Sequence, residues 1–349
     1  MSKKLVDVRA CNEGSIIAGD VLDDKGTLIV PKNILLSKHI IERLEYFDID
    51  TIQIYVNDGV EEENSLLEYE IQGFEEKYQD NISIIKQTID SFSKGEQLEI
   101  ESIKDITLSV FEETYNKNTA VRYINRLKYH DKYTYHHSIN VSIYSSLIAK
   151  WMGLEEDIIK EIVMAAILHD IGKTQISNDI LNKKDELTED EFETIKKHTI
   201  LGYELIKDDE RIDDKIKSVV LCHHEREDGS GYPYGITGKD IGLYSKIIAV
   251  SDFYDALTSK RAYKEKVTPF ETVKIFHQKG LEAYDLEIAF TFFKNILNCY
   301  IGEKVITNEK KLGEVVYIPP HNMSNPIIKV KDKLIDLSKE NNIKIIRMA

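Results

Sequence analysis

The sequence predicts a mainly α-helical protein: a helical domain flanked by small β-rich units at the N- and C-terminal ends. Three observations carry this. From Ile124 to about Tyr300, apolar residues recur at helical spacing and few stretches alternate as strands do. The two ends instead hold short β-branched runs punctuated by Gly, Pro and Asn. Seven of the ten histidines lie between His130 and His224, inside the helical part. Histidines gathered with aspartates in one region suit a metal site better than a packing need.

Composition sets the outer bounds. The 349 residues leave room for roughly two or three domains, and 42% apolar content supports ordinary cores. A net charge of −15 argues against broad binding of a nucleic acid polymer, which needs Lys and Arg to neutralise phosphates. A small phosphate ligand in a local pocket is still compatible. Cys11, Cys222 and Cys299 are scattered without a CxxC, so disulfides and thiolate zinc sites are poorly supported. The N-terminus lacks the apolar run of a signal peptide, and no run reaches the length of a membrane span. A cytoplasmic protein is the simplest expectation.

In chain order, residues 1–60 read as a β-rich module of regulatory or architectural type. Val21–Val30 forms a hairpin with Asp24-Lys-Gly26 as its turn. Ser37 caps a helix running to Tyr46, and Thr51–Val56 alternates as a strand. Asn57–Asn64 is an acidic linker. Residues 61–123 are a helical linker broken near Ser93-Lys-Gly95 and Asn116 to Asn118, with Ile82, Ile84, Ile85 and Ile89 on an amphipathic face. That face could pack on the main domain or on a second copy of the chain, as a homodimer. Residues 124–300 are the helical, chemistry-bearing domain. Residues 301–349 return to strands, with Pro319-Pro320 and Asn325-Pro326 as breaks.

The chemistry centres on Leu168-His169-Asp170-Ile171-Gly172-Lys173, which ends an apolar run. Adjacent helical residues point about 100° apart, so this pair does not cup one atom from one side. It becomes useful if the carboxylate bridges two metal ions and the imidazole holds one. Gly172 suits a left-handed helix cap, and Lys173 adds a positive charge just beyond. His137, on the first turns of an apolar helix, could give another nitrogen, whereas His136 reads as structural or outlying. His198 follows an acidic helix, and locally it is as well explained by burial as by ligation. Cys222-His-His-Glu-Arg-Glu-Asp-Gly-Ser-Gly-Tyr-Pro-Tyr234 is a poor packing sequence. Adjacent imidazoles after Val219-Val-Leu221 are costly unless paired or ligated. Gly229 and Gly231 permit φ above zero and close backbone approach. Asp252 and Asp255 share a helix face after another apolar run, with Asp252 the better ligand candidate. Arg261, Tyr263 and Lys264 come next as groups for phosphate or a base. His39, His277 and His321 read as surface or packing residues.

Taken in order, these motifs resemble the HD-GYP subgroup of the HD-domain phosphohydrolases. The resemblance rests on Tyr133-Thr-x-x-His137-Ser138, His169-Asp-Ile-Gly-Lys173, Ile180-Leu-Asn-Lys183 with Leu187-Thr188 and Glu191, and His198-Thr-Ile-Leu-Gly202. It continues through His223-His-Glu-Arg-x-Asp228-Gly-Ser-Gly-Tyr-Pro233 and Asp252-x-x-Asp255-Ala-Leu-Thr-Ser-x-Arg261. It covers roughly Ile124 to Asn298.

The resemblance implies a domain holding a binuclear divalent metal centre, with iron or manganese as the metals. By the same resemblance, His137, His169 and Asp252 would hold one ion and His198, His223 and His224 the other, with Asp170 bridging. The implied substrate is cyclic di-GMP, hydrolysed by a metal-bridging hydroxide to the linear dinucleotide and/or GMP. Asp170 and Lys173 would be catalytic, and Lys173, Tyr232, Arg261 and Lys264 would contact substrate. Another cyclic dinucleotide, or a non-catalytic module that binds one, are the alternatives. Two departures matter. Some members carry a glutamate, part of a third metal site, where this chain has Tyr133, which favours two metals. The family's Arg-Pro-Tyr-Arg is here Arg261-Ala-Tyr-Lys264, and Lys lacks the fork that grips phosphate or guanine bidentately.

Overall fold

The computed structural model describes residues 2–11, 15–22, 28–30, 32, 36, 38–56, 60–115, 120, 133–183, 185–259, 267–331, 333–340 and 342–349; for 2, 28, 38–39, 56, 60–71 and 133–134 it describes the backbone alone. The turn at Asp24-Lys-Gly26, the cap at Ser37, the break at Asn116 to Asn118, His130, Arg261, Tyr263 and Lys264 fall outside these residues. The chain divides into two compact units, Met1–Gly73 with Lys294–Ala349, and Phe74–Phe293.

The first unit carries the β structure. β1 (Ser2–Asp7) and β4 (Thr51–Val56) pair antiparallel, from Ser2 opposite Val56 to Asp7 opposite Thr51. β2 (Val21–Leu22) and β3 (Leu28–Val30) form the expected hairpin arms. The helix α1 (Lys38–Tyr46) places Ile40 and Leu44, four apart, in one core with Val8, Ile17, Val30 and Ile52. At the other end of the chain, β5 (Lys304–Thr307), β6 (Leu312–Tyr317), β7 (Ile327–Val330), β8 (Lys333–Asp336) and β9 (Ile345–Met348) make an antiparallel sheet of order β8-β7-β6-β5-β9. Alternation puts Val305, Val315 and Ile328 inside. Arg43 of α1 lies 4.9 Å over the Tyr317 ring and donates to the Val316 carbonyl at 3.4 Å.

The second unit consists of helices and loops, with no strand among its described residues. α2 (Val60–Ser93) starts earlier than the apolar pattern suggests, at the head of the acidic stretch; carboxylates near a helix N-terminus are favourable. Its later turns bury Phe74, Tyr78 and Ile85 in this unit, so Ile85 packs on the main domain. α3 (Ile100–Tyr115), α4 (Tyr133–Trp151) and α5 (Glu156–Leu168) pack against one another. Every residue from His137 to Ala149 is buried, so α4 is the central helix, with Ser145 bonded to Ser251 and Ser146 to Thr114. Around it lie α6 (Asn178–Leu181), α7 (Glu189–Lys196), α8 (His198–Ile206), α9 (Asp214–Cys222), α10 (Leu243–Thr258), α11 (Pro269–Lys279) and α12 (Leu286–Asn298). Thr188 and Glu191 form a reciprocal capping box on α7.

Gly172 departs from the sequence reading. It is not among the residues of positive φ; it lies in a short 3-10 turn, Ile171–Gln175, that comes after α5. A Cβ there would stand 1.9 Å from the His198 carbonyl oxygen and 2.5 Å from the Gly202 nitrogen. Glycine is needed because the turn bearing Asp170 must lie flush against α8, which bears His198. Gly229 does take φ 77°, whereas Gly231 serves close packing, a Cβ there falling 2.4 Å from Glu225 Cα.

Candidate metal centre

Five helix segments deliver the candidate ligands. His137 comes from the second turn of α4, and His169 and Asp170 from the end of α5. His198 opens α8, His223 and His224 come directly after α9, and Asp252 sits on α10. Their ligand atoms fall into two groups, each with all atoms within 4.8 Å of one another: His137, His169 and Asp252; and Asp170, His198, His223 and His224. The groups share a border at Asp170. Its Oδ2 lies 3.2 Å from His169 Nε2 and 3.6 Å from His137 Nε2, while Oδ1 lies 3.3 Å from His198 Nε2 and 3.9 Å from His223 Nε2. One carboxylate thus faces both groups, one oxygen to each.

The histidine tautomers are set by the backbone. Nδ1 of His169 donates to the Ala166 carbonyl at 2.6 Å, Nδ1 of His198 to Ile195 at 2.7 Å, and Nδ1 of His223 to Val219 at 3.1 Å. Each Nε2 is left with a lone pair aimed into the site. His137 Nδ1 instead meets the fully buried Asp255 carboxylate at 2.8 Å. Outer partners of this kind fix the orientation of metal-binding imidazoles. His198 Nε2 and His223 Nε2 stand 3.3 Å apart, two lone pairs facing each other with no proton to share. Buried His169 Nε2 and Asp170 Oδ1 have no hydrogen-bond partner. Orphaned buried acceptors and opposed lone pairs are costly in themselves and are relieved by a cation. The donor set of imidazole and carboxylate fits a divalent metal centre.

Electrostatics point the same way. Burial lowers the basicity of His198 to about 4 and pushes His223 and His224 well below the usual range, so all three are neutral ligands at pH 7. For His137 burial alone would do the same, but hydrogen bonds to Asp252 and Asp255 outweigh it and raise its pKa to about 9. Asp170 and Asp252 are held well below the usual carboxylate range: burial opposes ionisation, and His169 and Lys173 for the first, and His137 for the second, overcome it.

Lys173 Nζ pairs with Asp170 Oδ2 at 2.5 Å, part-exposed at the edge of the site. Tyr232 stacks on His224, ring centroids 4.6 Å apart, and Lys196 Nζ lies 5.7 Å from the Tyr232 ring. His136 bonds Tyr78 at 3.2 Å and points away from both groups. Cys222 is half-buried and burial pushes its thiol up to about 11, while His277 and His321 are exposed. The roles of two further positions escape sequence reading. Asp255 orients His137 and is itself held by Asn140 at 3.0 Å and Ser259 at 2.8 Å. Glu225 is buried and accepts the backbone N–H groups of Tyr234 and Ile236, which folds the Gly-rich loop back over His224. The signal for Asp255 is its three-residue offset from Asp252; for Glu225 it is an acid directly after two buried histidines.

Residues 118–288 match the protein family described as "HD domain". This segment is an HD domain. Cyclic di-GMP phosphodiesterase PA4108 of Pseudomonas aeruginosa is 30% identical over 236 residues, which cover 68% of this chain and 57% of that protein. The cyclic di-GMP phosphodiesterase response regulator RpfG of Xanthomonas campestris is 38% identical over 178 residues, 48% of this chain and 47% of its own. A 3'3'-cGAMP-specific phosphodiesterase 2 of Vibrio cholerae is 33% identical over 181 residues, 51% of this chain and 35% of its own. The chain thus spans about half the length of the curated relatives it matches. In fold it is similar to Bd1817, an HDG"Y"P protein from Bdellovibrio bacteriovorus, with a TM-score of 0.54 at 18% identity over 85% of this chain and 99% of that one. No described helix is long and apolar enough to cross a membrane.

Proposed function

We propose that this chain is a metal-dependent phosphodiesterase that hydrolyses cyclic di-GMP to the linear dinucleotide and/or GMP. The observation that carries it is the Asp170 carboxylate, which turns one oxygen toward each of two adjacent donor groups. His137, His169 and Asp252 would hold one ion and His198, His223 and His224 the other, with Asp170 shared. Such a pair, iron or manganese in this reading, would supply an acidified water and a counter-charge for phosphoryl oxygens. The chain's own residues do the rest. Backbone carbonyls keep the Nε2 atoms of His169, His198 and His223 aimed and unprotonated, and Asp255 orients His137. Lys173, part-exposed and with donors beyond its bond to Asp170, neutralises a phosphate oxygen arriving over the site. Tyr232, stacked on His224 and folded in by Glu225, closes one wall. Arg261 and Lys264 complete the substrate contacts in this reading.

The sequence relatives support this substrate, and the cGAMP-specific ones favour one second reading, a mixed cyclic dinucleotide. Hydrolysis of cyclic di-GMP, 3'3'-cGAMP and cyclic di-AMP, side by side on protein purified without oxygen and analysed for metal, tests both. Turnover of cyclic di-GMP that chelation abolishes and metal restores is the expected result; metal-independent turnover, or none of any dinucleotide, overturns the proposal. A cytoplasmic site of action and pairing of two chains through α2 belong to the same reading. Sedimentation of the full chain tests the pairing.

A further inference from the structure

Beside the Asp170–Lys173 edge lies a cavity of about 330 Å³, bounded on one side by α2 and on the other by the turn after α5. Its walls are mixed: Ile85 and Ile89 from α2 and Ile171 and Ile176 from the turn and its exit line it together with Ser138, Thr174 and Asn178. Lys173 and Asp170 form the end nearest the candidate metal centre. On α2 the charged group is Asp90, whose Oδ1 accepts the Tyr135 hydroxyl at 2.5 Å. Tyr135 is two residues before His137 on α4, so the same helix turns anchor the cavity and a candidate ligand. Lys173 faces Asp170, and no cation is drawn to Asp90 among the described residues.

Apolar faces beside a carboxylate suit a flat, heteroaromatic ring. The volume takes one nucleobase with part of its sugar, the isoleucines offer faces to lie against, and a carboxylate closes on one edge. An ionised carboxylate only accepts hydrogen bonds. Guanine offers it two parallel donors, N1–H and the exocyclic amine. Adenine has an unprotonated N1 at the equivalent edge, which would meet the carboxylate lone pair to lone pair. Tyr135 holds Asp90 in place by filling one acceptor position, and the second oxygen and the remaining lone pairs stay available.

We infer that this cavity is a guanine subsite in which Asp90, contributed by the helix preceding the HD motifs, reads the base while Lys173 meets the adjoining phosphate. The inference rests on the phosphodiesterase reading for its substrate, but its test does not need turnover. Binding of GMP and of AMP to the metal-loaded full chain is measured by calorimetry for wild type, Asp90→Asn and Tyr135→Phe. Asparagine keeps the shape and the acceptor for Tyr135 while replacing one acceptor by a donor. Wild type is expected to prefer GMP by about tenfold or more, the discrimination that a bidentate base contact supplies. Asp90→Asn should bring the ratio to within about threefold, mainly by weakening GMP, and Tyr135→Phe should lower it part-way. No preference in wild type, or a preference that survives Asp90→Asn, overturns the subsite. A loss of affinity for both nucleotides alike would also overturn it, since that is what simple disruption of the helix contact would give. Guanine preference lost in Asp90→Asn in a protein that hydrolyses no dinucleotide would leave the subsite standing and remove the catalytic reading instead.

Discussion

Replacing Asp255 with asparagine should disarm His137 without touching a candidate ligand. The Asp255 carboxylate is fully buried and takes three bonds: His137 Nδ1 on Oδ2 at 2.8 Å, and Asn140 and Ser259 on Oδ1 at 3.0 and 2.8 Å. An asparagine has one acceptor oxygen and one donor amide. Two donors converge on the Oδ1 side, so the amide oxygen settles there and the NH2 turns to His137. To avoid two opposed N–H groups, the neutral, ligating form of His137 must carry its one proton on Nε2, the atom that faces Asp170 and Asp252, instead of on Nδ1. A protonated Nε2 cannot ligate. Loss of an orienting partner of this type lowers metal affinity by about 10- to 100-fold, or roughly 1.4–2.8 kcal/mol. The assay is competition for metal against a coloured chelator, with thermal unfolding of metal-free protein alongside to confirm that the variant is folded. Metal affinity within about twofold of wild type in a folded variant would refute the tautomer argument.

The same geometry fixes other outcomes. Gly172→Ala should destabilise the fold by more than the ~1–3 kcal/mol of ordinary overpacking, because the atoms met at 1.9 and 2.5 Å are backbone; chemical denaturation checks this, and an unchanged midpoint would show that α8 yields. Metal uptake should depend on pH through His137. Its pKa is raised to about 9, so at pH 7 the metal-free protein holds a proton there that ligation must expel. Affinity should therefore climb by up to about tenfold per pH unit from 7 toward 9, with roughly one proton released, readable by calorimetry in buffers of different ionisation enthalpy. The stability that His137 lends the metal-free fold has the opposite sense: it is complete below about pH 6.5 and lost as pH rises through about 9. Lys173→Ala should lower kcat for a phosphodiester by about 100-fold or more if its charge serves the transition state, with metal content retained; equal loss of metal would make its bond to Asp170 the real contribution.

Much of the site is local in sequence and hence legible there. His169-Asp170 and His223-His224 are improbable packing choices at the ends of apolar helices, and their chemistry shows in the residue types alone. The same holds for the flanking strands, whose alternation survives into the observed sheet, and for the break before α3. Whatever depends on contact between distant segments is not legible. Gly172 resembles a helix terminator because terminating glycines are common; its actual constraint is α8, placed by residues thirty positions on. Asp255 is visible as an acid on the Asp252 face, but only the packing of α10 on α4 shows that one faces the site and the other holds His137 from behind. The part of α2 that packs with the catalytic helices reads as a linker because an amphipathic face does not name its partner, and Asp90 carries no signal of its own for that reason.

Central to the proposed mechanism is that Asp170 would join two ions. Metal content and cyclic di-GMP turnover of anaerobically purified wild type and Asp170→Asn, measured on the same samples, address it most directly. A bridging carboxylate predicts about two divalent ions per wild-type chain and turnover at least 100-fold lower in the variant, with at least one ion lost. Full metal occupancy and undiminished turnover in Asp170→Asn would contradict it.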